Sequence, residues 1–416
     1  MNTDHGAPAP HASSMPTKAG LGFLEFIVLA ASFFALTAFS IDIMLPALPQ
    51  IGESLALTEE NDRQLVLVVF SIGFGVAQIF FGPISDRFGR RSVLYPSLAL
   101  YVASTIAAGL SGNLTLMLTF RLLQGVACAG MRTIVTAIVR DCFDGREMAR
   151  VMSYVFTVFM LVPVFAPAVG QLLINVASWH WIFVVLAAAS LAIGLWSVLR
   201  LRETLDREDR MELSYGRVGR AFLEVVTNRL SIGYTLALTM FFGGLFAFIV
   251  SVQQIFVTVY GLGDWFVYIF ALSAVFTGIS TFLNGHFVRR VGMRRISHSG
   301  LVLYFVAGTI LWVISLFFEP PFLLAYLLIS AAMFAFGMIG ANFNSMAMEP
   351  MGHMAGTAAS VIGAVSTTGG AVLGGLVGRA FDGSVTPLAF GFAFFGAIAI
   401  GFVYWAERGR FFAATR

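Results

Sequence analysis

The chain has 416 residues, 58% of them hydrophobic and 11% charged, with 42 Phe and 42 Gly. A soluble domain has about a quarter of its residues charged, so a water-soluble protein built around one core is excluded. The net charge of +3, the two isolated cysteines (Cys128, Cys142) and six scattered histidines leave no disulfide framework, metal-ligand spacing or nucleic-acid footprint.

Residues 1–21 are rich in Ala, Pro, His and Ser and are expected to be disordered. They are not read as a cleaved leader, because the apolar run after Lys18 is too long for one. A membrane-crossing helix needs about 20 apolar residues. Six such runs follow, near 22–45, 64–83, 93–112, 114–138, 151–175 and 180–199. A charged stretch comes next, 200–229, with seven arginines against six acids. Six more runs lie near 231–256, 265–288, 297–317, 321–346, 356–379 and 386–405. The expected fold is all-α, with two six-helix membrane bundles at 22–199 and 230–405. Residues 200–229 would be the linker between them and 406–416 a short tail.

Arginine sets the orientation. The connections at 84–92, 140–150, 200–229 and 289–295 are basic, whereas 46–62 carries four acids and no Lys or Arg. Positive residues stay on the cytoplasmic side, which predicts that both termini lie in the cytoplasm. Arg379, beside Asp382 at the opposite end of the eleventh run, is the exception.

The segment GPISDRFGRR, Gly82–Arg91, returns as GHFVRRVGMRR, Gly285–Arg295. At an offset of 203 residues, Arg87 meets Arg290, Gly89 meets Gly292 and Arg91 meets Arg294, while Asp86 meets Arg289. Both copies fall between the second and third runs of their half, the mark of a duplicated six-span unit.

Gly82–Arg91 resembles the G-x-x-x-D-R-x-G-R-R loop of major facilitator transporters. RLLQG (Arg121–Gly125) resembles their fourth-span pattern. VPVFAPAVG (Val162–Gly170) resembles the fifth-span antiporter pattern, with Ala166 and Gln171 where glycine is usual. IDIMLPALP (Ile41–Pro49), SWHWIF (Ser178–Phe183) and EPMGHMAGTAAS (Glu349–Ser360) resemble the Bcr/CflA (bicyclomycin/chloramphenicol-resistance) branch of drug:proton antiporters, with His180 where arginine is usual. The resemblance spans 22–405. It implies proton-coupled efflux of small hydrophobic or amphipathic compounds by alternating access. The setting would be a bacterial inner membrane and the energy source a proton gradient. It implies a functional monomer without enzymatic activity, cofactor or nucleic-acid partner. An alternative is carriage of a metabolite or organic anion.

Several residues are singled out. Gly82 and Gly89 are expected to allow a tight turn and close helix approach. The resemblance implies that Asp86, with Arg87 and Arg90, latches the two bundles on the inner side, meeting an arginine such as Arg140. Asp42 is an ionisable group within a span, a functional candidate by default. Arg121 is expected to pair with it, with Gln124 nearby, so that protonation of Asp42 would free Arg121. A structural hydrogen-bonding role for Arg121 is the alternative. Arg132 lies 11 residues later, about 16 Å along the same helical face. It is expected to meet Glu25 or an anionic group of the substrate. Pro163, Pro167 and Gly170 would bend or thin the fifth span, and the resemblance puts them at a rocking interface. The stripe Gly370, Gly374, Gly378 is read as close packing that slides during the switch. Phe39, Met131 and Phe159 are candidates for a pocket wall.

Overall fold

The computed structural model describes residues 17–210 and 215–412. Among them, twelve helices of 20 residues or more form the body of the molecule. The first bundle comprises α1 (Phe23–Asp42), a short α2 (Leu48–Ser54), α3 (Leu65–Phe88), α4 (Arg90–Gly109), α5 (Leu114–Cys142), α6 (Gly145–Val176) and α7 (His180–Arg200). The linker carries α8 (Tyr215–Thr227). The second bundle comprises α9 (Arg229–Gln253), α10 (Phe266–Val291), α11 (Met293–Ser315), α12 (Phe322–Met348), α13 (Ala355–Arg379) and α14 (Thr386–Ala406). All except α2 and α8 are long and apolar enough to cross a membrane. The α12–α13 pair runs as one helical stretch, kinked at Met351, where φ is −105° and ψ 18°.

Twelve crossings bring both ends of the chain to one side, here called the terminal face; the opposite side is the far face. The charged connections on the terminal face are shorter than the sequence suggests. The expected loop at 84–92 is helix on both sides of Gly89, which has φ +96°. Its repeat partner Gly292 has φ +93° and separates α10 from α11 in the same way. Only glycine adopts that backbone readily, so the repeat read from the sequence reappears as a repeated one-residue corner. Gly82 has no such role, because a Cβ placed there meets nothing within 4 Å.

Residues 17–21 correct the expectation that the whole of 1–21 is disordered. Ala19 and Leu21 are fully buried, Arg202 N–H donates to Ala19 O at 2.9 Å, and Lys18 Nζ lies 2.7 Å from Asp206. Residues 1–16, and 413–416 of the expected tail, lie outside the described residues.

Between the bundles, α3 packs on α13 and α6 packs on α10. Each is the second span of one half against the fifth span of the other, as a two-fold related pair of repeats requires. The Gly370, Gly374, Gly378 stripe does not belong to this seam. A Cβ at each would lie 2.5 Å from atoms of α9, so the stripe fixes α13 inside its own bundle. The seam uses other glycines: Gly75 of α3 against Thr368, and Gly375 of α13 against Val68.

Candidate functional site

The centre of the first bundle is polar. Arg121, on α5, is fully buried. Its Nη1 donates to Gln124 Oε1 at 2.6 Å, its Nε to Val66 O at 3.0 Å and its Nη2 to Ser40 O at 2.9 Å. Gln124 in turn donates to Thr105 Oγ1 at 2.7 Å, and Ser40 Oγ meets Tyr101 OH at 2.6 Å. The Phe70 ring lies under the guanidinium at 4.5 Å. Three spans, α1, α3 and α5, are joined at this one side chain, and Gln124 extends the network to α4.

Ser40 O needs a partner because α1 stops two residues later. Met44 N–H, which would reach it in a continuing helix, donates instead to Ile41 O at 3.3 Å. Pro46 follows inside a 3₁₀ turn, Leu45–Ala47. Arg121 therefore caps a broken helix from across the bundle. Gly125 makes the approach possible: a Cβ there would stand 2.0 Å from Phe70 O.

The expected Asp42–Arg121 ion pair is absent among the described residues. Each of Arg121's three nitrogens already donates once, to two carbonyls and to Gln124. Asp42 is the last residue of α1, only 5% exposed, and no hydrogen bond or ion pair reaches its carboxylate among the described residues. The link between the two is through backbone: Arg121 holds the carbonyl of Ser40, two residues before Asp42. Gly170 comes in from the other side, where a Cβ would stand 2.2 Å from Ile43 O. It packs α6 against the break after Asp42, within one bundle. Pro163 and Pro167 lie in α6, which remains helical through both and borders α10 of the second bundle.

Arg132 is partly exposed and sits among three rings, Phe34 at 5.3 Å, Phe74 at 5.5 Å and Phe159 at 5.6 Å. Its expected protein partner Glu25 is taken: Arg200 Nε donates to it at 2.8 Å and Trp196 Nε1 at 3.2 Å.

At the terminal face, Asp86 does not bridge the bundles. Its carboxylate is held by Arg90 at 2.5 Å and faces Arg140 at 3.9 Å, both of the same bundle. Arg90 is the buried member and also binds Asp141 at 2.8 Å. Glu203 accepts the N–H groups of Arg90 and Arg91 at 2.9 and 3.0 Å, a carboxylate at the start of α4 where the helix dipole favours it. Arg87 is exposed beside the Phe88 ring. The second half repeats the arrangement with Arg294, bound by Glu407 at 2.7 Å and Glu349 at 3.0 Å. Sequence reasoning missed these four acids. The signal was there: Asp141 and Glu349 are 208 residues apart and Glu203 and Glu407 204, close to the repeat offset.

The bundles are joined by hydrogen bonds at the far face. Gln254 Nε2 donates to Asn61 Oδ1 at 2.7 Å, and Gln64 Nε2 to Gln254 Oε1 at 3.0 Å. Asn61 Nδ2 donates to Phe381 O at 2.8 Å and Arg379 O at 3.1 Å, and Arg379 lies 3.6 Å from Asp62. Gln254 opens a π-helical turn, Gln254–Val259, that continues α9. Beside this clasp is a cavity of about 330 Å³ whose walls include Pro46, Gln171, Asn175, Gln253 and Asp264, from both bundles.

Two six-span repeats that meet through second and fifth spans, with a polar centre inside one of them, define a multi-pass membrane carrier. Residues 28–375 match the Major Facilitator Superfamily. The chain is 31% identical over 378 residues to a bicyclomycin resistance protein homolog of Haemophilus influenzae, covering 88% of this chain and 92% of that one. It is 29% identical over 218 residues to the multidrug resistance protein MdtL of Escherichia coli, covering 51% and 56%. Among solved structures, the xylose transporter XylE of E. coli superposes with a TM-score of 0.71 at 13% identity, covering 92% of this chain and 97% of that one. The human organic anion transporter MFSD10 superposes with a TM-score of 0.68 at 17% identity, covering 92% and 99%. The chain belongs to the major facilitator superfamily, in the branch its motifs resemble. It is a transporter of small molecules, not an enzyme.

Proposed function

We propose that the protein exports small hydrophobic or amphipathic compounds from a bacterial cytoplasm in exchange for protons. The observation that carries this reading is Asp42: a carboxyl inside the span, at a helix break, without a partner among the described residues. A proton can join or leave it without breaking a bond within the protein. The mechanism foreseen from sequence changes accordingly. Protonation does not release Arg121; it acts on the broken end of α1, which Arg121 clamps at Ser40 O and Gly170 supports from α6. Movement there reaches the seam through α6 and α10.

In the orientation expected from the arginine distribution, the far face is periplasmic and the clasp closes it. The conformation described is then closed outward, and the missing bridge from Asp86 fits it, since an inner latch would be open. Each proton entering down the membrane potential supplies about 2.3 kcal/mol per 100 mV. The relatives named for drug resistance support export of such compounds. Working as a monomer, the chain would need no cofactor beyond the proton gradient.

The test uses everted membrane vesicles energised to an acidic interior. Adding a transported compound from an antibiotic panel is expected to dissipate the pH gradient in vesicles that contain the protein and not in control vesicles. Uptake that leaves the gradient untouched and survives a protonophore would contradict antiport.

A further inference from the structure

Four arginine heads lie inside the helix bundles: Arg90, Arg121, Arg132 and Arg294. Three are paired with acceptors. Arg90 binds two aspartates, Arg294 two glutamates, and Arg121 two carbonyls and an amide oxygen. Arg132 alone of the four has no hydrogen bond or ion pair from its guanidinium among the described residues. It lies ten residues from the terminal-face end of the 29-residue α5, about 15 Å along the helix.

A guanidinium at that depth is costly and needs a reason. The rings of Phe34, Phe74 and Phe159, from α1, α3 and α6, attract it through their faces. They orient the head but leave its five N–H donors unused. These three helices and α5 close round the side chain on their own sides. Arg132 is partly exposed, and α3 and α6 are the helices that meet the second bundle, so we take its uncovered side to face the gap between the bundles.

Two more polar groups nearby are unused. Gln78, one turn beyond Phe74 on α3, has a buried Nε2 without a partner, and its Oε1 reaches toward Gly363 of the second bundle. Thr37, one turn beyond Phe34 on α1, has a buried hydroxyl without a partner. A fork of cationic donors, two neutral donors and three apolar ring faces together fit one kind of ligand. It has a flat apolar body and a carboxylate, which the guanidinium can bind through two parallel hydrogen bonds.

We propose that Arg132, its three-phenylalanine cage and Gln78 form a subsite for the carboxylate of an aromatic, amphipathic substrate. The inference rests on the transporter reading only in taking the gap between the bundles as the substrate path. It does not require that transport be proton-driven.

The test measures equilibrium binding to purified full-length protein, using naphthalene-2-carboxylate and its neutral match naphthalene-2-carboxamide. The wild type is expected to bind the carboxylate at least tenfold more tightly. Arg132→Gln is expected to bind the two equally, and Arg132→Lys to keep part of the preference, because it keeps the charge without the fork. Gln78→Ala should weaken carboxylate binding several-fold. The comparison within the wild type does not depend on any variant folding. Equal binding of the two probes by the wild type, or no binding of the carboxylate at millimolar concentration, would overturn the proposal. So would a carboxylate preference unchanged in Arg132→Gln. If the preference is found but substrate leaves the pH gradient in vesicles intact, the subsite stands and proton antiport fails.

Discussion

Arg121 and Asp42 were visible in the sequence as candidates, because charged side chains in apolar runs stand out. Their relation was not visible. Sequence shows which groups carry charge, but the carbonyls of Ser40 and Val66 are backbone atoms that any residue supplies, so their capture of Arg121 leaves no trace. The contacts of Arg121 are those of a hydrogen-bonding hub. Its removal therefore predicts a folding defect. Arg121→Ala orphans two carbonyls and Gln124, each costing about 1–3 kcal/mol when buried unpaired. The thermal midpoint in detergent is expected to fall sharply, and Arg121→Lys to fall between, since one ammonium cannot serve acceptors on three helices. A melt of Arg121→Ala that matches wild type would remove the arginine from the architecture.

At the scale of helices, the twelve spans were legible to within a few residues, because the apolar runs match the membrane thickness. The connections were not. Stretches read as loops, 84–92 and 140–150, are mostly helix: Asp86, Arg90 and Asp141 satisfy one another between helix ends, while Arg87, Arg146 and Arg150 stay exposed on helical turns. Glycines separate into kinds that sequence does not distinguish. Gly89 is held at φ +96°, while a Cβ at Gly82 would meet nothing within 4 Å and one at Gly125 would be pressed on Phe70 O. Gly82→Ala is expected to be neutral in expression and thermal stability. Gly89→Ala forces a strained backbone and should lose about 1–3 kcal/mol. Gly125→Ala collides with backbone that cannot yield and should lose at least as much by overpacking. Equal behaviour of the three in one set of melting curves would contradict these assignments. The Gly370, Gly374, Gly378 stripe was legible as close packing, but its partner, α9, was not, since a small-residue stripe fits any neighbour.

Across the whole molecule, the duplication was readable in four aligned positions, and the structure adds the repeated corner and the repeated acids around Arg90 and Arg294. The expected latch at the terminal face has no bridge between bundles among the described residues; the clasp of Asn61, Gln64 and Gln254 joins them at the far face. Neutral amides carry no sequence signal of that kind. Asn61→Ala with Gln254→Ala should open that side, seen as a longer distance between spin labels at Gly112 and Glu319, one on each bundle. An unchanged distance distribution would show that the clasp does not hold the far face shut. Coupling through Asp42 is tested most directly in proteoliposomes with Asp42→Asn. Two quantities are followed: exchange of labelled for unlabelled substrate at equal pH, and accumulation driven by an imposed pH gradient. Exchange is expected to continue at a rate near wild type while driven accumulation is lost. Driven accumulation at the wild-type level would show that the proton is carried elsewhere.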